Sequence, residues 1–340
     1  MRAVRLTQPG RGPELVELDV PIPIGRQILL QVEAIGLCRS DLSVMDAAIP
    51  RYALPFTLGH EIVGRAVSSG LELRDEVTLG SSYAVYGPRG CGSCPKCRLG
   101  AENYCAYPSS APAPGLGRDG GLADYVLVED PRYLVATGGM RAVDVAPLTD
   151  AGLTTIHALG TVASGSWSDN DVVIIGIGGL GHLALQLAKR RGSRTIAVDT
   201  SPDKLVHAAS LGADVTTLLK DASTTLLGAG RLPRVARVLD LVGTSETLEL
   251  ASRLVAPGGT VALVGLAGGS FDYGFRTLPF GTHLVNPYWG TLPELAELLT
   301  AATSNPLTVE TTQFVLDDYR EAYQALRDGT HRGRIVVVPG

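Results

Sequence analysis

The sequence predicts an α/β protein in which a doubly wound parallel sheet is combined with a second, mainly β domain that carries metal sites. Three observations support this prediction. A β-branched run enters a glycine-rich turn and then an amphipathic helix near residue 175, and four cysteines fall within one short segment near residue 95. The chain has 340 residues, which is enough for two ordinary domains and too many for one simple core.

Composition and charge limit the class of protein. The chain is 45% hydrophobic and 19% charged, which is typical of a folded globular protein. The net charge of −5 and the absence of a basic cluster argue against a nucleic-acid partner. The N-terminal segment reaches Gln8 and Gly10 before an apolar signal core could form, and the apolar stretch 172–188 contains four glycines. We therefore expect a soluble, cytoplasmic protein with no membrane segment.

The glycine-rich turn supports the parallel sheet. Val172 to Ile175 forms a β-branched run, and the glycines that follow match G-x-G-x-x-G at Gly176, Gly178 and Gly181, with Gly179 and Leu180 completing the turn. Such glycines allow a tight turn, a close approach of the backbone to a pyrophosphate, and contact between helix and strand. The start of the helix offers N–H groups and a positive dipole end to phosphates.

An acidic residue at the end of the next strand strengthens the prediction of a dinucleotide site. Asp199 closes the run Thr195 to Val198, about twenty residues after the glycines. A carboxylate there accepts hydrogen bonds from the ribose hydroxyls and repels a 2′-phosphate, and no arginine follows it directly. The pattern therefore favours NAD over NADP, with a helix cap as the alternative role of Asp199, although Ser201 before Pro202 fits that role better.

Two further strand and helix units follow. The sequence predicts a strand from Val235 to Val242 with a helix from about Glu246, and a strand from Thr260 to Gly265 after a turn at 257–259. Alternating strands and helices of this kind predict a parallel, doubly wound sheet.

The four clustered cysteines predict a zinc site. Cys91, Cys94, Cys97 and Cys105 form two C-x-x-C steps and a fourth thiol eight residues on. Four thiolates can surround one tetrahedral zinc, which is then structural because no position is left for a substrate. The alternative is a disulfide knot, which reducing compartments disfavour.

The fifth cysteine lies in a different metal-binding pattern. Cys38 is followed by Asp41, and His60 and Glu61 lie about twenty residues further on. A catalytic zinc needs about three protein ligands and one open position, and cysteine, histidine and carboxylate are its usual ligands. The alternative is a core histidine with two surface acids.

These segments together resemble a known family. GLCRSD, GHEIVGRAV, the four-cysteine segment, GGLADYVLV and PLTDAGLTT occur in the order and spacing of the zinc-containing medium-chain alcohol dehydrogenases. PLTDAGLT and NPYWGT make bacterial NAD-dependent secondary-alcohol dehydrogenases the most similar group. The resemblance implies a Rossmann domain at 148–285 and a GroES-like catalytic domain, a partly opened β-barrel, at 1–147 and 286–340.

The resemblance also implies roles for the metal-site residues. Cys38 and His60 would be the first two catalytic zinc ligands, and Asp150 would be the third, in a position where relatives often carry cysteine. Asp41 would orient His60, and Glu61 would coordinate transiently during ligand exchange. Ser40 would relay a proton from the substrate oxygen. Many relatives have histidine at the position of Ser43; here either Ser43 and water would finish the relay, or the proton would leave from the cofactor ribose, and Ser43 would also widen the pocket.

Further residues follow from the resemblance alone. The implied cofactor contacts are Lys204 at the adenosine ribose, backbone near Val242 and Val264 with Thr154 at the nicotinamide, and Arg39 and Arg334 at the pyrophosphate. For both arginines a solvated surface charge is the alternative. The expected pocket lining is apolar, with ordinary core packing as the alternative for each residue: Tyr52, Leu116, Tyr288 and Trp289.

The predicted function is therefore a zinc-dependent, NAD-linked dehydrogenase of a hydrophobic secondary alcohol, or a reductase of the ketone. It would hold two zinc ions per chain and act as a homodimer or homotetramer. The alternatives are a polyol or aldehyde dehydrogenase on the same scaffold, a zinc-free reductase, and a non-enzymatic NAD-binding protein.

Overall fold

The computed structural model describes residues 1–8, 10–46, 53–73, 76–107, 112–162, 171–228 and 234–340. Two compact units form within it: Met1–Leu153 together with Gly290–Gly340, and Thr154–Trp289. The second unit therefore begins at Thr154 and ends at Trp289, a few residues later at each end than the predicted domain at 148–285. No helix in the described ranges is both long and apolar enough to cross a membrane.

Strands and helices are numbered in chain order. The strands are β1 (Arg2–Leu6), β2 (Glu14–Glu17), β3 (Ile28–Leu37), β4 (Phe56–Thr57), β5 (Glu61–Ser69), β6 (Ser82–Val85), β7 (Ala113–Pro114), β8 (Gly117–Arg118), β9 (Tyr125–Val128), β10 (Leu134–Ala136), β11 (Asp171–Ile175), β12 (Arg194–Asp199), β13 (Val215–Leu218), β14 (Val235–Asp240), β15 (Val255–Leu263), β16 (His283–Val285), β17 (Thr311–Val315) and β18 (Arg334–Val338). The helices are α1 (Arg39–Met45), α2 (Pro95–Arg98), α3 (Ala142–Val145), α4 (Ala151–Thr161), α5 (Gly181–Arg190), α6 (Pro202–Ser210), α7 (Leu219–Leu227), α8 (Ser245–Leu254), α9 (Leu292–Ser304) and α10 (Tyr319–Asp328).

The first unit is mainly β. Its largest sheet has the order β10-β6-β5-β3-β18-β17, with β9 also paired to β3, and a smaller sheet has the order β2-β1-β4. Strand β3 pairs antiparallel with both β5 and β18, so it brings distant parts of the chain together. The ten residues of β3 include eight buried ones, which is the pattern of a strand covered on both faces.

The second unit contains a six-stranded parallel sheet of order β13-β12-β11-β14-β15-β16. The strand order reverses at β11. From β11 the chain first continues to β12 and β13 on one side, and then crosses to β14 on the other side of β11. A crevice at the carboxyl ends of the strands at such a reversal is the usual ligand site of an open α/β sheet. The core is aliphatic and includes Val173, Ile196, Val238 and Leu250. The predicted combination of a parallel, doubly wound sheet with a second, mainly β domain is confirmed.

One predicted element differs from the structure. The turn predicted at 257–259 lies within β15, which begins at Val255 and ends at Leu263. The pairing with β14 shifts register between Val235 and Arg237, so the extra residues are accommodated as an irregularity in the strand. Proline and glycine can stand in a strand at such a point because ladder hydrogen bonds are already interrupted there.

Candidate active site and metal centres

Donor atoms of four residues converge in the first unit. Those of Cys38, His60, Glu61 and Asp150 all lie within 4.8 Å of one another. Cys38 caps the start of α1, His60 and Glu61 lie at the start of β5, and Asp150 ends the 3₁₀ turn that precedes α4. Three separate segments therefore bring these four residues together. The spacing of the motifs along the sequence does not by itself require this.

Asp41 connects two of these residues. Its Oδ2 accepts the backbone N–H of Cys38 at 2.9 Å, and its Oδ1 lies 3.0 Å from Nδ1 of His60. Asp41 is completely buried. A carboxylate against Nδ1 orients the ring and leaves Nε2 for a metal. The Nε2 atom of His60 lies 3.7 Å from Oδ2 of Asp150, so these two donors point at the same space.

The charges in the cluster fit a divalent cation. Burial alone would lower the pKa of His60, but Asp41 and Asp150 raise it well above its usual value. Burial alone would raise the pKa of Asp150, but His60 and Arg334 lower it to about 2. A thiol, an imidazole and a carboxylate within bonding reach are a common zinc donor set, so the residues present fit the ion.

Glu61 also forms a buried ion pair with Arg334. Its Oε1 accepts a hydrogen bond from the Arg334 guanidinium, and the two side chains are 0% and 6% exposed. Burial raises the pKa of Glu61 above its usual value, and the positive charge of Arg334 acts against that rise. Gly36 makes the arrangement possible, because a Cβ atom there would stand 1.9 Å from Oε2 of Glu61. The role of Arg334 at a pyrophosphate stays a prediction.

The predicted relay residues lie on α1. The hydroxyl of Ser40 is 3.6 Å from the sulfur of Cys38, and Ser40 is half-buried. Ser43, one turn later, donates its hydroxyl to the carbonyl oxygen of Arg39 at 3.2 Å. In this conformation Ser43 is bonded to its own helix and not to Ser40. Arg39 is exposed. The roles of all three residues remain predictions.

The four-cysteine segment forms a second cluster, in which the sulfur atoms of Cys91, Cys94, Cys97 and Cys105 lie within 4.8 Å of one another. All four are free thiols, and the sulfurs of Cys94 and Cys97 are 3.5 Å apart. That separation is close to the edge of a tetrahedral zinc–thiolate site, about 3.8 Å for Zn–S bonds of ~2.3 Å. The geometry therefore fits a structural zinc and contains no disulfide.

Backbone amides support these thiolates. The N–H groups of Cys91 and Tyr107 both donate to the sulfur of Cys105, and that of Cys94 donates to Cys91, each at 3.3 Å. A hydrogen bond from Ser93 is the largest effect lowering the pKa of Cys91 to about 6. Burial raises the pKa of Cys97 to about 12.

Sequence reasoning missed a buried arginine that precedes the first cysteine by two residues. Arg89 is buried, forms an ion pair with Glu129, and places its guanidinium 3.9 Å from the ring centre of Tyr133. Arg132 lies over the same ring at 4.5 Å. A charged residue just before the first cysteine was the available signal, but its partner Glu129 is forty residues away.

The glycine turn of the second unit fits a dinucleotide. A Cβ atom at Gly181 would stand 2.0 Å from the carbonyl oxygen of Gly176, so the third glycine is needed for contact within the turn. By contrast, a Cβ atom at Gly178 would meet nothing within 4 Å. That open side is where the backbone of a dinucleotide site approaches the pyrophosphate. Helix α5 begins at Gly181, directly after Gly179 and Leu180, and presents its N-terminus there.

Asp199 ends β12 beside this turn. Its two carboxylate oxygens accept the backbone N–H groups of Ile177, at 2.7 Å, and of Ser201, at 2.9 Å. The side chain therefore ties the glycine turn to the end of the neighbouring strand. Ser201 occupies the N-cap of α6 as predicted, but its hydroxyl makes no cap bond. Contact of Asp199 with a ribose stays a prediction.

The other predicted cofactor residues occupy different positions in the second unit. Val242 and Val264 are half-buried at the carboxyl ends of β14 and β15, and their N–H groups both donate to Asp240, at 3.0 and 2.9 Å. Thr154 is buried on α4, and Lys204 is exposed on α6.

The predicted pocket residues are of mixed exposure. Leu116 is buried in the first unit, and Trp289 is buried in the second with a left-handed φ of 52°. Tyr288 is 55% exposed. Its ring is edge-on to that of Trp289, and the two ring centres are 6.0 Å apart. Tyr52 lies outside the described residues.

Two family models and several known proteins are similar to this chain in sequence. Residues 25–137 match the model of the alcohol dehydrogenase GroES-like domain, and residues 179–304 match that of the zinc-binding dehydrogenases. The chain is 32% identical to an NAD-dependent alcohol dehydrogenase of Sulfurisphaera tokodaii over the full length of both chains. It is 31% identical to D-arabinose 1-dehydrogenase (NADP(+)) of Saccharolobus solfataricus, over 95% of this chain and 93% of the relative.

A solved structure is also similar to this chain. Acetophenone reductase from Geotrichum candidum, in complex with NAD, is similar over 99% of this chain and 96% of its own, with a TM-score of 0.86 and 28% identity. The chain belongs to the zinc-containing alcohol dehydrogenases of the medium-chain dehydrogenase/reductase family. The predicted enzyme class, a nicotinamide-dependent zinc oxidoreductase acting on CH–OH donors, is confirmed.

Proposed function

We propose that this protein oxidises a hydrophobic secondary alcohol to a ketone, and catalyses the reverse reduction, with NAD as its cofactor. The observation that carries the proposal is the convergence of Cys38, His60 and Asp150 next to the Ser40 hydroxyl, in a chain that also has the glycine turn of a dinucleotide site. Three protein donors leave one position of a tetrahedral ion for substrate.

The roles of the residues follow from their positions. Cys38, His60 and Asp150 would hold the zinc, which supplies a Lewis acid for the substrate oxygen, while NAD supplies the hydride acceptor. Asp41 keeps Nε2 of His60 directed at the ligand space. Ser40 would carry the alcohol proton away from the substrate oxygen, since its hydroxyl lies beside Cys38. A second zinc would be held by the four-cysteine cluster without taking part in the reaction.

Metal content tests this assignment. We expect close to two zinc ions per chain, and one in a Cys38→Ser variant. Elemental analysis after gel filtration measures the stoichiometry. Two ions retained by Cys38→Ser would contradict the assignment of Cys38. A cytoplasmic location is proposed as well, because reducing compartments keep cysteines free of disulfides.

The preference for NAD rests on Asp199. Its carboxylate is buried at 7% exposure at the end of β12, and the next two residues, Thr200 and Ser201, carry no positive charge. A fixed negative charge there would repel the 2′-phosphate of NADP. We expect Asp199→Ser to lower the ratio of NAD to NADP affinity at least about tenfold, roughly the effect of one lost charge–charge repulsion. The matched control is Asp203→Asn, an exposed acid in the first turn of α6, which should leave the ratio unchanged.

The proposed substrate is hydrophobic because the predicted lining is apolar. Leu116, in the first unit, is buried and has an aliphatic side chain. A panel of secondary alcohols and ketones of increasing size, followed by NADH absorbance with NADPH as comparison, tests the proposal. Absence of turnover with every alcohol, aldehyde and ketone by zinc-replete protein would refute it.

Ser43 is proposed to leave room for bulky substrates. It is a small residue on the same helix as Ser40, and the resemblance to secondary-alcohol dehydrogenases implies that a bulky aromatic side chain can stand at this position. Ser43→Phe should reduce activity mainly on bulky ketones. Equal losses on small and large ketones would contradict the size argument.

A polyol or sugar is the second candidate substrate class, and one observation favours it. The relative from Saccharolobus solfataricus that is 31% identical to this chain is a D-arabinose 1-dehydrogenase. Including D-arabinose and simple polyols in the same panel decides between the two classes. A higher kcat/KM for the sugar than for any ketone or apolar alcohol would replace the proposed substrate class.

A homo-oligomer is also proposed, as a dimer or tetramer. Strand β16 ends the parallel sheet and pairs with β15 alone among the described strands. Leu284 on it and Phe280 before it are 43% and 69% exposed. An apolar edge strand of this kind is a template for pairing with another copy. Leu284→Lys should shift the mass measured by light scattering to that of a smaller species, whereas Leu71→Lys, at a fully exposed loop position, should not.

A further inference from the structure

The segment that carries the four cysteines, residues 86–105 and called the four-cysteine lobe below, is hydrogen-bonded to the start of helix α9. Tyr86 is completely buried, and its hydroxyl donates to the carbonyl oxygen of Gly290 at 2.7 Å. The carbonyl oxygen of Gly100 accepts the N–H of Leu292, the first residue of α9, at 3.3 Å. Both contacts lie within the first unit, and they join the lobe to α9 at two neighbouring points.

The first turn of α9 is itself held firmly. Thr291 is the N-cap, and its side chain accepts the backbone N–H of Glu294, while the Glu294 carboxylate accepts the N–H of Thr291 at 2.8 Å. Such a capping box satisfies two otherwise unpaired donors and ties the residue before a helix to the helix itself. The contacts of the lobe therefore act on α9 as a whole.

The backbone that follows the proposed ligand Asp150 packs on this helix start and on α9. A Cβ atom at Gly290 would stand 2.5 Å from Cδ1 of Leu153, so the backbone of Gly290 lies directly against that side chain. A Cβ atom at Gly152 would stand 3.0 Å from Cδ2 of Leu298, which lies on α9. Because protein interiors are close-packed, a shift of α9 is transmitted to these residues and to Asp150, two positions before Gly152.

We propose that the four-cysteine lobe is a positioning element of the catalytic metal site: through Tyr86 and Gly100 it fixes the start of α9, which fixes the backbone that carries Asp150. The lobe acts through Asp150 and does not touch substrate. The inference rests on the proposed metal site and is independent of the identity of the alcohol. Packed side chains and hydrogen bonds that form one contiguous chain can carry such a coupling, which then has to be measured.

Two tyrosine variants form the first matched pair. Tyr86→Phe keeps the ring and removes only the hydroxyl that reaches Gly290. Tyr319→Phe is its control, because Tyr319 is also buried and donates its hydroxyl to a backbone carbonyl oxygen, that of Pro13, at 3.1 Å. Each variant loses one buried hydrogen bond, so we expect similar losses of melting temperature from the two.

Two glycine variants form the second pair. Gly100 and Gly92 both lie in the lobe, and both have a φ of 73°, so alanine strains the backbone equally at either position. A Cβ atom at Gly100 would stand 3.2 Å from Cδ of Pro293 in the first turn of α9. A Cβ atom at Gly92 would instead have its nearest contact at 3.7 Å, with Arg132. Only Gly100→Ala therefore displaces α9.

The measurement is the rate of zinc release from the full-length zinc-loaded protein to a chromogenic chelator. The phase belonging to the catalytic site is the one that Cys38→Ser lacks. A group bonded directly to a metal ligand typically changes metal affinity by about 10–100-fold, and the lobe acts at one further remove. We therefore expect Tyr86→Phe and Gly100→Ala to accelerate the catalytic-site phase about three- to tenfold, and both controls to stay within about twofold of wild type.

A double-mutant cycle separates this role from a general loss of stability. If the lobe acts through Asp150, Tyr86→Phe should accelerate release less than about twofold in an Asp150→Asn background, because the ligand that it positions has already been weakened. General destabilisation would instead accelerate release by the same factor in both backgrounds.

Three results would overturn the inference, and they are distinguishable. Equal catalytic-site phases in each variant and its control would refute the coupling while leaving the metal site intact. An undiminished effect of Tyr86→Phe in the Asp150→Asn background would show that the lobe does not act through Asp150. A wild-type protein without any Cys38-dependent phase would contradict the metal site itself. Circular dichroism of all variants checks that the fold is retained.

Discussion

Replacing Gly36 by alanine tests how the buried ion pair beside the metal cluster is accommodated. Gly36 and Glu61 face each other across the antiparallel pair of β3 and β5. A Cβ atom at Gly36 would stand 1.9 Å from Oε2, 2.7 Å from Cδ and 2.9 Å from Cβ of Glu61. Because the contact involves the whole side chain and not only its tip, Glu61 has to leave its place opposite Arg334.

The expected magnitude is set by two opposing effects. Breaking a buried ion pair costs about 3–5 kcal/mol, because one charge remains buried without compensation. Replacing a strand glycine by alanine otherwise stabilises a protein by about 0.5–1 kcal/mol. The cost of the broken ion pair exceeds the gain from replacing glycine, so we expect the free energy of unfolding to fall by about 2–4 kcal/mol. The clash thus decides the sign of the effect.

Equilibrium urea denaturation followed by circular dichroism measures this loss in zinc-loaded protein. Gly12→Ala is the matched control, since a Cβ atom at Gly12 would meet nothing within 4 Å. In a double variant with Glu61→Ala, most of the cost of Gly36→Ala should disappear, which a double-mutant cycle detects as a coupling energy. An unfolding midpoint for Gly36→Ala equal to that of Gly12→Ala would refute the reasoning.

Three further predictions concern the metal site and the glycine turn. Asp150→Asn should weaken zinc at the catalytic site at least about tenfold, since a charged ligand is replaced by a weak one, while the four-cysteine zinc stays bound in elemental analysis. Gly178→Val should leave the melting temperature nearly unchanged and abolish NADH binding in fluorescence titration, whereas Gly181→Ala should destabilise the protein because its Cβ would stand 2.0 Å from a carbonyl oxygen. Acidification should release the catalytic zinc. Although burial lowers the pKa of His60, Asp41 and Asp150 raise it well above its usual value. Below that pKa a proton competes with zinc for the imidazole, so the zinc affinity should fall with each unit by which the pH is lowered. Isothermal titration with zinc at several pH values should show this slope, and its absence would mean that His60 binds no metal.

Much of the local structure could be predicted from the sequence because it depends on short spacings. Two C-x-x-C steps and a fourth cysteine place four sulfurs in one lobe regardless of what surrounds them. The glycine turn behaves in the same way: the third glycine contacts the carbonyl oxygen of the first, five residues earlier, and the strand before it and the helix after it follow from hydrophobic periodicity.

The details of pairing could not be predicted in this way. The irregular start of β15 depends on its register with β14, which is a property of the sheet and not of the Pro-Gly-Gly segment. Arg89 and Glu129 are forty residues apart, and neither residue type signals a buried ion pair by itself. Charged side chains are ordinarily exposed, so burial has to be seen in the fold before it can be inferred.

The sequence by itself therefore determined the class of chemistry, through donor types and spacings that few other folds combine: cysteine, histidine and carboxylate for zinc, and glycines with a following acid for a dinucleotide. Only the tertiary structure decided which of these groups meet. Asp150 reaches His60 because the start of β5 and the end of the 3₁₀ turn before α4 lie at the same point. Arg334 reaches Glu61 across 273 residues because β18 and β5 both pair with β3. Contacts of this length depend on how strands and helices pack, and local sequence patterns carry no record of that packing.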